Sequence, residues 1–154
     1  MVVPPLPDSS NPRRHWMGLL AKSSPADLET VWQGMGEQPP YDFLRAPEAG
    51  LALVRARAGG TGVRFNLGEM TLTRCVVQLR NGVSGYAYVA GRNRRHAELA
   101  AVFDALLQDP AHYVQLEAAL LQPLSAKLQE QKQRRAAKVA ATKVDFFTLV
   151  RGDP

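Results

Sequence analysis

Two clusters in this 154-residue chain set glycine beside arginine, a combination that holds an anion through backbone N–H groups and guanidinium together. The first is Arg57-Ala58-Gly59-Gly60-Thr61-Gly62-Val63-Arg64. Its closely spaced glycines free backbone N–H groups, and a turn needs neither Arg57 nor Arg64, so Arg57, Gly59, Gly60, Thr61, Gly62 and Arg64 are candidates for a triphosphate or phosphonate cradle. The run lacks the P-loop lysine and leads into strand-like Val63-Arg64-Phe65, so neither that loop nor the dinucleotide fingerprint is present. The glycines alone also fit a hairpin turn that requires positive φ. The second cluster, Gly91-Arg92-Asn93-Arg94-Arg95-His96-Ala97-Glu98, puts three arginines at the N-terminus of an expected helix, where the macrodipole disfavours cations. An anion bound there by Arg92 and Arg94, with His96 donating from the first turn, resolves the conflict. Solvated arginines with small unfavourable terms are the plain alternative.

Other chemistry is thinly supplied. Cys75 is the single cysteine, which excludes an intrachain disulfide and a cysteine-built zinc or iron–sulfur site. His15, His96 and His112 lie far apart and form no i, i+4 ligand pair, so no metal is expected. Glu69 and Glu98 are the acids beside the clusters, and neither has a neighbouring carboxylate in sequence, so no catalytic residue is assigned.

The elements that would position these residues follow from caps and periodicity. Asn11-Pro12 and Ser24-Pro25 each open a helix, with Trp16, Leu19 and Leu20 on the first stripe and Leu28, Val31, Trp32 and Met35 on the second. Trp16 is read as a core or partner-contact anchor. Five strands are expected, at 41–46, 51–57, 63–67, 71–80 and 84–89, with Asn81-Gly82 as a hairpin turn. Short connections make the sheet mostly antiparallel. Asn93 caps a helix whose stripe of Leu99, Val102, Phe103, Leu106 and Leu107 should cover one sheet face, and Asp109-Pro110 opens another that Pro123 ends or kinks. From Leu124 to Thr142 the chain is helix-prone but polar nearly all round, and an apolar run, Val144 to Val150, follows it.

The expected fold is therefore α+β: a mostly antiparallel sheet with helices at the N-terminus and on one face, plus a C-terminal helix and strand-like arm. Its boundaries are a disordered, proline-rich tail at 1–11, a single core at 12–123, and the arm at 124–154, whose Phe146, Phe147 and Arg151 are partner-contact candidates. With 45% hydrophobic and 21% charged residues the composition is globular, and no apolar stretch reaches the ~20 residues of a membrane span, so a cytoplasmic location is expected. The net charge of +5 sits between Lys127 and Lys143, and the rest of the chain is neutral. A basic helix is the minimal footprint of a nucleic-acid binder, but no helix-turn-helix, RNP or zinc pattern accompanies it, so a nucleic-acid-binding or purely structural module is the alternative reading.

An ordered set of segments is more specific than any one motif. Arg14-His15-Trp16-Met17, the run from Arg57 to Phe65, Gly68-Glu69 with Thr71-Leu72-Thr73-Arg74, Gly85-Tyr86, Gly91-Arg92 with His96-Ala97-Glu98, and Val144 to Thr148 with Val150 to Asp153 together resemble the PhnG family, subunits of the bacterial carbon–phosphorus lyase system. The likeness runs from Arg13 to Asp153. It implies a non-autonomous subunit that acts with PhnH, PhnI and PhnL when a phosphonate displaces adenine from ATP at the ribose anomeric carbon, in a core complex that also holds PhnJ. It implies a hetero-oligomer with no cofactor of its own, ATP and phosphonate being substrates of the complex, and no catalytic residue for this chain.

Overall fold

The computed structural model describes residues 11–142. The expected tail before Asn11 and the arm residues Phe146, Phe147 and Arg151 lie outside the described residues. Helix α1, Pro12–Lys22, starts where Asn11 accepts the N–H groups of Arg13 and Arg14 on its side-chain oxygen. Helix α2, Pro25–Gly34, starts in the same way at Ser24, whose hydroxyl accepts the Ala26 N–H.

Three antiparallel strands follow in the order β1-β2-β3: Tyr41–Arg57, Arg64–Leu79 and Ser84–Ala90. The first two of the five expected strands are one element, and so are the third and fourth. Pro47 and Gly50 look like breaks in sequence, but β1 is an edge strand and absorbs Pro47 in a register shift between Arg45 and Glu48. A further shift lies where Val54 meets Gly68, and pairing resumes with Arg55 and Asn66. At Asn81-Gly82 only the glycine has positive φ, at 87°; the Gly82 N–H donates to Leu79 O and the Leu79 N–H to Val83 O, so the hairpin closes through a three-residue turn.

Helix α3, Arg94–Leu107, lies across the sheet and buries its whole expected stripe. The facing side of the sheet is the alternating row Thr73, Cys75, Val77 and Leu79. Gly85 of β3 runs so close beneath α3 that a Cβ there would collide with the Ala101 carbonyl and the Ala105 backbone nitrogen. From α2, Trp32 closes the core edge-on to Phe103 at 6.1 Å between ring centroids.

Helix α4, Pro110–Leu116, passes through a π turn at Glu117–Leu121 into α5, Gln122–Ala141. Pro123 neither ends nor breaks this path. A proline clashes with the carbonyl four residues back, here Ala119, and the wider π turn, in which the Gln122 N–H reaches Glu117 O, relieves the crowding. Leu124 is buried in the core and Leu128 packs against it, so α5 leaves the body beyond Leu128 and not at Pro123. From Gln129 to Thr142 every residue is exposed. Among the described residues no helix is long and apolar enough to cross a membrane.

Candidate functional site

At the N-terminus of α3 the backbone is pinned to the sheet. Gly91, at φ 90°, donates its N–H to Thr71 O at 2.9 Å, and its carbonyl accepts the Thr73 hydroxyl at 2.7 Å. Asn93 caps the helix by accepting the His96 N–H at 2.9 Å. Arg92 and Arg94, on this fixed turn, are exposed at the positive end of the helix dipole.

Arg95 has a different fate. Its Nε and Nη2 donate to the Glu29 carboxylate of α2 at 2.9 and 3.1 Å, and its Nη1 lies 3.1 Å from Glu98. The hydrogen bond from Arg95 holds the Glu29 carboxyl below the usual range, and Glu29 in turn raises the guanidinium. One of the three charges in conflict with the dipole is thus answered by an acid sixty-six residues away in sequence. Glu98 also accepts the Tyr41 hydroxyl; burial first, then this carboxylate, pushes the phenol up to about 12.

His96 is turned into the body of the fold. Its ring is buried, with Nε2 at 2.9 Å from the Leu20 carbonyl and 3.5 Å from Ser23 Oγ. Through this contact with the Leu20 carbonyl the ring ties α3 to the end of α1. Trp16 is likewise packed in the core of this chain: it is 6% exposed, and its Nε1 donates to Asp104 at 2.9 Å. Asp104 is fully buried and also accepts Arg13 Nε and Nη2, at 3.2 and 2.8 Å, and the Tyr86 N–H at 2.9 Å. In the sequence Asp104 interrupts the apolar stretch from Leu99 to Leu107, and an acid at that place is the local signal of this junction.

The glycine run forms the far turn of the β1–β2 hairpin. Gly59 and Gly60 have φ of 59° and 79°, and the Gly62 N–H donates to Ala58 O at 2.9 Å. A Cβ at Gly62 would stand 2.7 Å from that oxygen. The turn therefore accounts for all three glycines. Arg57 donates from Nη1 to the Gly62 carbonyl at 3.3 Å, bracing its own loop, and Thr61 lies exposed within it. Arg57 and Arg64 are directly opposed cross-strand neighbours.

The two glycine–arginine clusters are not one site. Gly91 sits beside Thr71, and β2 runs from there to Arg64 at about 3.3 Å per residue, a span of roughly 23 Å. Among the described residues no three His, Cys, Asp or Glu side chains gather as metal ligands do. Cys75 lies under α3, and burial pushes its thiol up to about 12.

A family model described as phosphonate metabolism protein PhnG matches residues 11–152. A protein named alpha-D-ribose 1-methylphosphonate 5-triphosphate synthase subunit PhnG, from Rhizobium meliloti (strain 1021), is 43% identical over 141 residues, which cover 92% of this chain and 90% of that protein.

Proposed function

Since the chain belongs to the PhnG family of phosphonate metabolism proteins, we propose that it is a non-autonomous subunit of a ribose 1-methylphosphonate 5-triphosphate synthase in phosphonate catabolism. The observation that carries this reading is identity of 43% sustained over 92% of the chain to a protein named as such a subunit. In the reaction a phosphonate oxygen bonds to the ribose anomeric carbon of ATP, the glycosidic bond breaks, and adenine leaves with the bonding electrons and a proton. The triphosphate stays on the ribose. Such a step needs cations for the triphosphate and a negative environment for the charge that develops on the sugar.

Arg92 and Arg94 on the braced turn before α3 are this chain's best candidates for the first task, supported by their exposure and by the helix dipole behind them. No group of this chain is assigned to the second, which falls to the PhnH, PhnI and PhnL type partners. The protein would work in the cytoplasm, where ATP is available.

Co-expression with PhnH, PhnI and PhnL, followed by an assay of adenine release from ATP and methylphosphonate, tests the proposal. The complete set should release adenine, and neither the isolated chain nor the set without it should. Arg92→Ala and Arg94→Ala should each weaken ATP binding by the complex by about 1.5 to 3 kcal/mol, the worth of a charge-assisted hydrogen bond. Adenine release by partners lacking this chain would overturn the subunit reading; unchanged ATP affinity in both variants would remove those arginines from the nucleotide site.

A further inference from the structure

Strand β3 pairs with β2 only from Leu72 to Gln78. Beyond that point, among the described residues, β1 and β2 pair only with each other, as a two-stranded ribbon from Leu51 opposite Thr71 to Arg57 opposite Arg64. Every residue from Arg64 to Met70 is exposed, and Leu51, Leu53 and Leu67 are 67%, 63% and 64% exposed. Among the described residues no strand pairs with the outer edge of β1 along the same stretch. A two-stranded ribbon is marginal in water, and an exposed apolar edge strand is a site of association.

The register sorts the side chains. Ala56 with Phe65, Ala52 with Met70, and Gly50 with Leu72 share the face opposite to the one that carries Thr73 and Cys75 into the core. The tip is basic: Arg55, Arg57 and Arg64 lie between Ala49 and Gly68, a stretch without a carboxylate. Like charges directly opposed across a ladder are unfavourable, and Arg57 faces Arg64. The complement of such a ribbon is an apolar groove rimmed by acids. A second copy of the chain is a poor occupant, because it brings the same uncompensated arginines to the contact.

We infer that the ribbon from Gly50 to Leu72 is the element that seats this chain in another subunit of the synthase, with the Phe65 face in an apolar groove and the arginine tip against acidic side chains. The inference rests on the subunit reading above and names the surface it requires. Neither His96 nor the α3 terminus takes part.

The test uses the full chain in three forms, wild type, Arg55→Glu with Arg64→Glu, and Phe65→Ser with Met70→Ser, each co-expressed with the partner subunits and resolved by size-exclusion chromatography. Thermal melts of each free chain run in parallel. Both double variants should melt as the wild type does, because they alter exposed residues, yet bind the partners at least tenfold more weakly. The binding of the wild type should weaken as salt is raised. Assembly of both variants at wild-type strength would overturn the inference while leaving the subunit reading intact; failure of the wild type to assemble would remove both. A lowered melting point in the free variants would mean that the ribbon packs on its own chain, again overturning it. So would loss of ATP affinity with assembly unchanged, which would give the tip to a phosphate, or loss of self-association alone, which would give the ribbon to a second copy.

Discussion

Asp104 joins three elements through one carboxylate, since Arg13 and Trp16 come from α1 and the Tyr86 N–H from β3. Removing it leaves donors of unequal cost. Arg13 is 35% exposed and can rehydrate, whereas Trp16 Nε1 and the Tyr86 N–H lose an acceptor in the interior. Each orphaned donor costs about 1 to 3 kcal/mol, so Asp104→Ala should lower stability by about 2 to 4 kcal/mol in a urea titration. Cys75 makes a different prediction. Its thiol, ordinarily at 9.0, is held near 12, and Tyr41, ordinarily at 10.0, is also held near 12. Between those ordinary values and 12 the unfolded chain gives up protons that the folded chain keeps, so stability should fall as pH rises from about 9 towards 12. A melting series over that range should slope downward, and Tyr41→Phe should flatten its upper part. At pH 8 a thiol reagent should modify Cys75 only as the chain unfolds.

At the scale of elements, α3 packs closely on β3. Gly85 permits it: a β-carbon would meet the backbone of Ala101 and Ala105, and backbone has no alternative rotamer to retreat into. Gly85→Ala should therefore cost about 3 kcal/mol or more, at the upper end for an added methyl, and calorimetry should register a lower melting temperature. Gly50 meets nothing within 4 Å and has no positive φ, so Gly50→Ala is the matched control and should leave the melt unchanged. The contrast separates a glycine needed for approach from one that is merely present in a strand. Between α4 and α5, the π turn before Pro123 keeps one helical path from Pro110 to Ala141 and so directs the polar end of α5 away from the core.

Among the described residues two projections leave one body: the β1–β2 ribbon and the outer part of α5. The latter carries Lys132, Arg134, Arg135 and Lys138 against Glu130, with all residues from Gln129 to Thr142 exposed. Truncation after Leu128 should leave the melting temperature of the core within a few degrees of the full chain, because no buried residue among those described is lost. Truncation after Pro123 should instead destabilise it by about 2 to 5 kcal/mol, through loss of buried Leu124 and its neighbour Leu128. Thermal melts of the two truncations check the boundary. The helices, their Asn11, Ser24, Asn93 and Asp109 caps, the antiparallel sheet and the α3 stripe were all legible in the sequence, because each follows from contacts within a few residues. The glycine–arginine clusters were legible as residues but not as a site. The pairing of Arg95 with Glu29, the turn of His96 to the Leu20 carbonyl and the packing of Trp16 in the core were decided by partners 66, 76 and 88 residues distant. The merging of five strands into three had the same origin: a proline is a break in isolation and tolerable on an edge, and only the order of strands makes β1 an edge. Local chemistry sets what each residue can do; the choice among those options belongs to the neighbour that tertiary packing supplies.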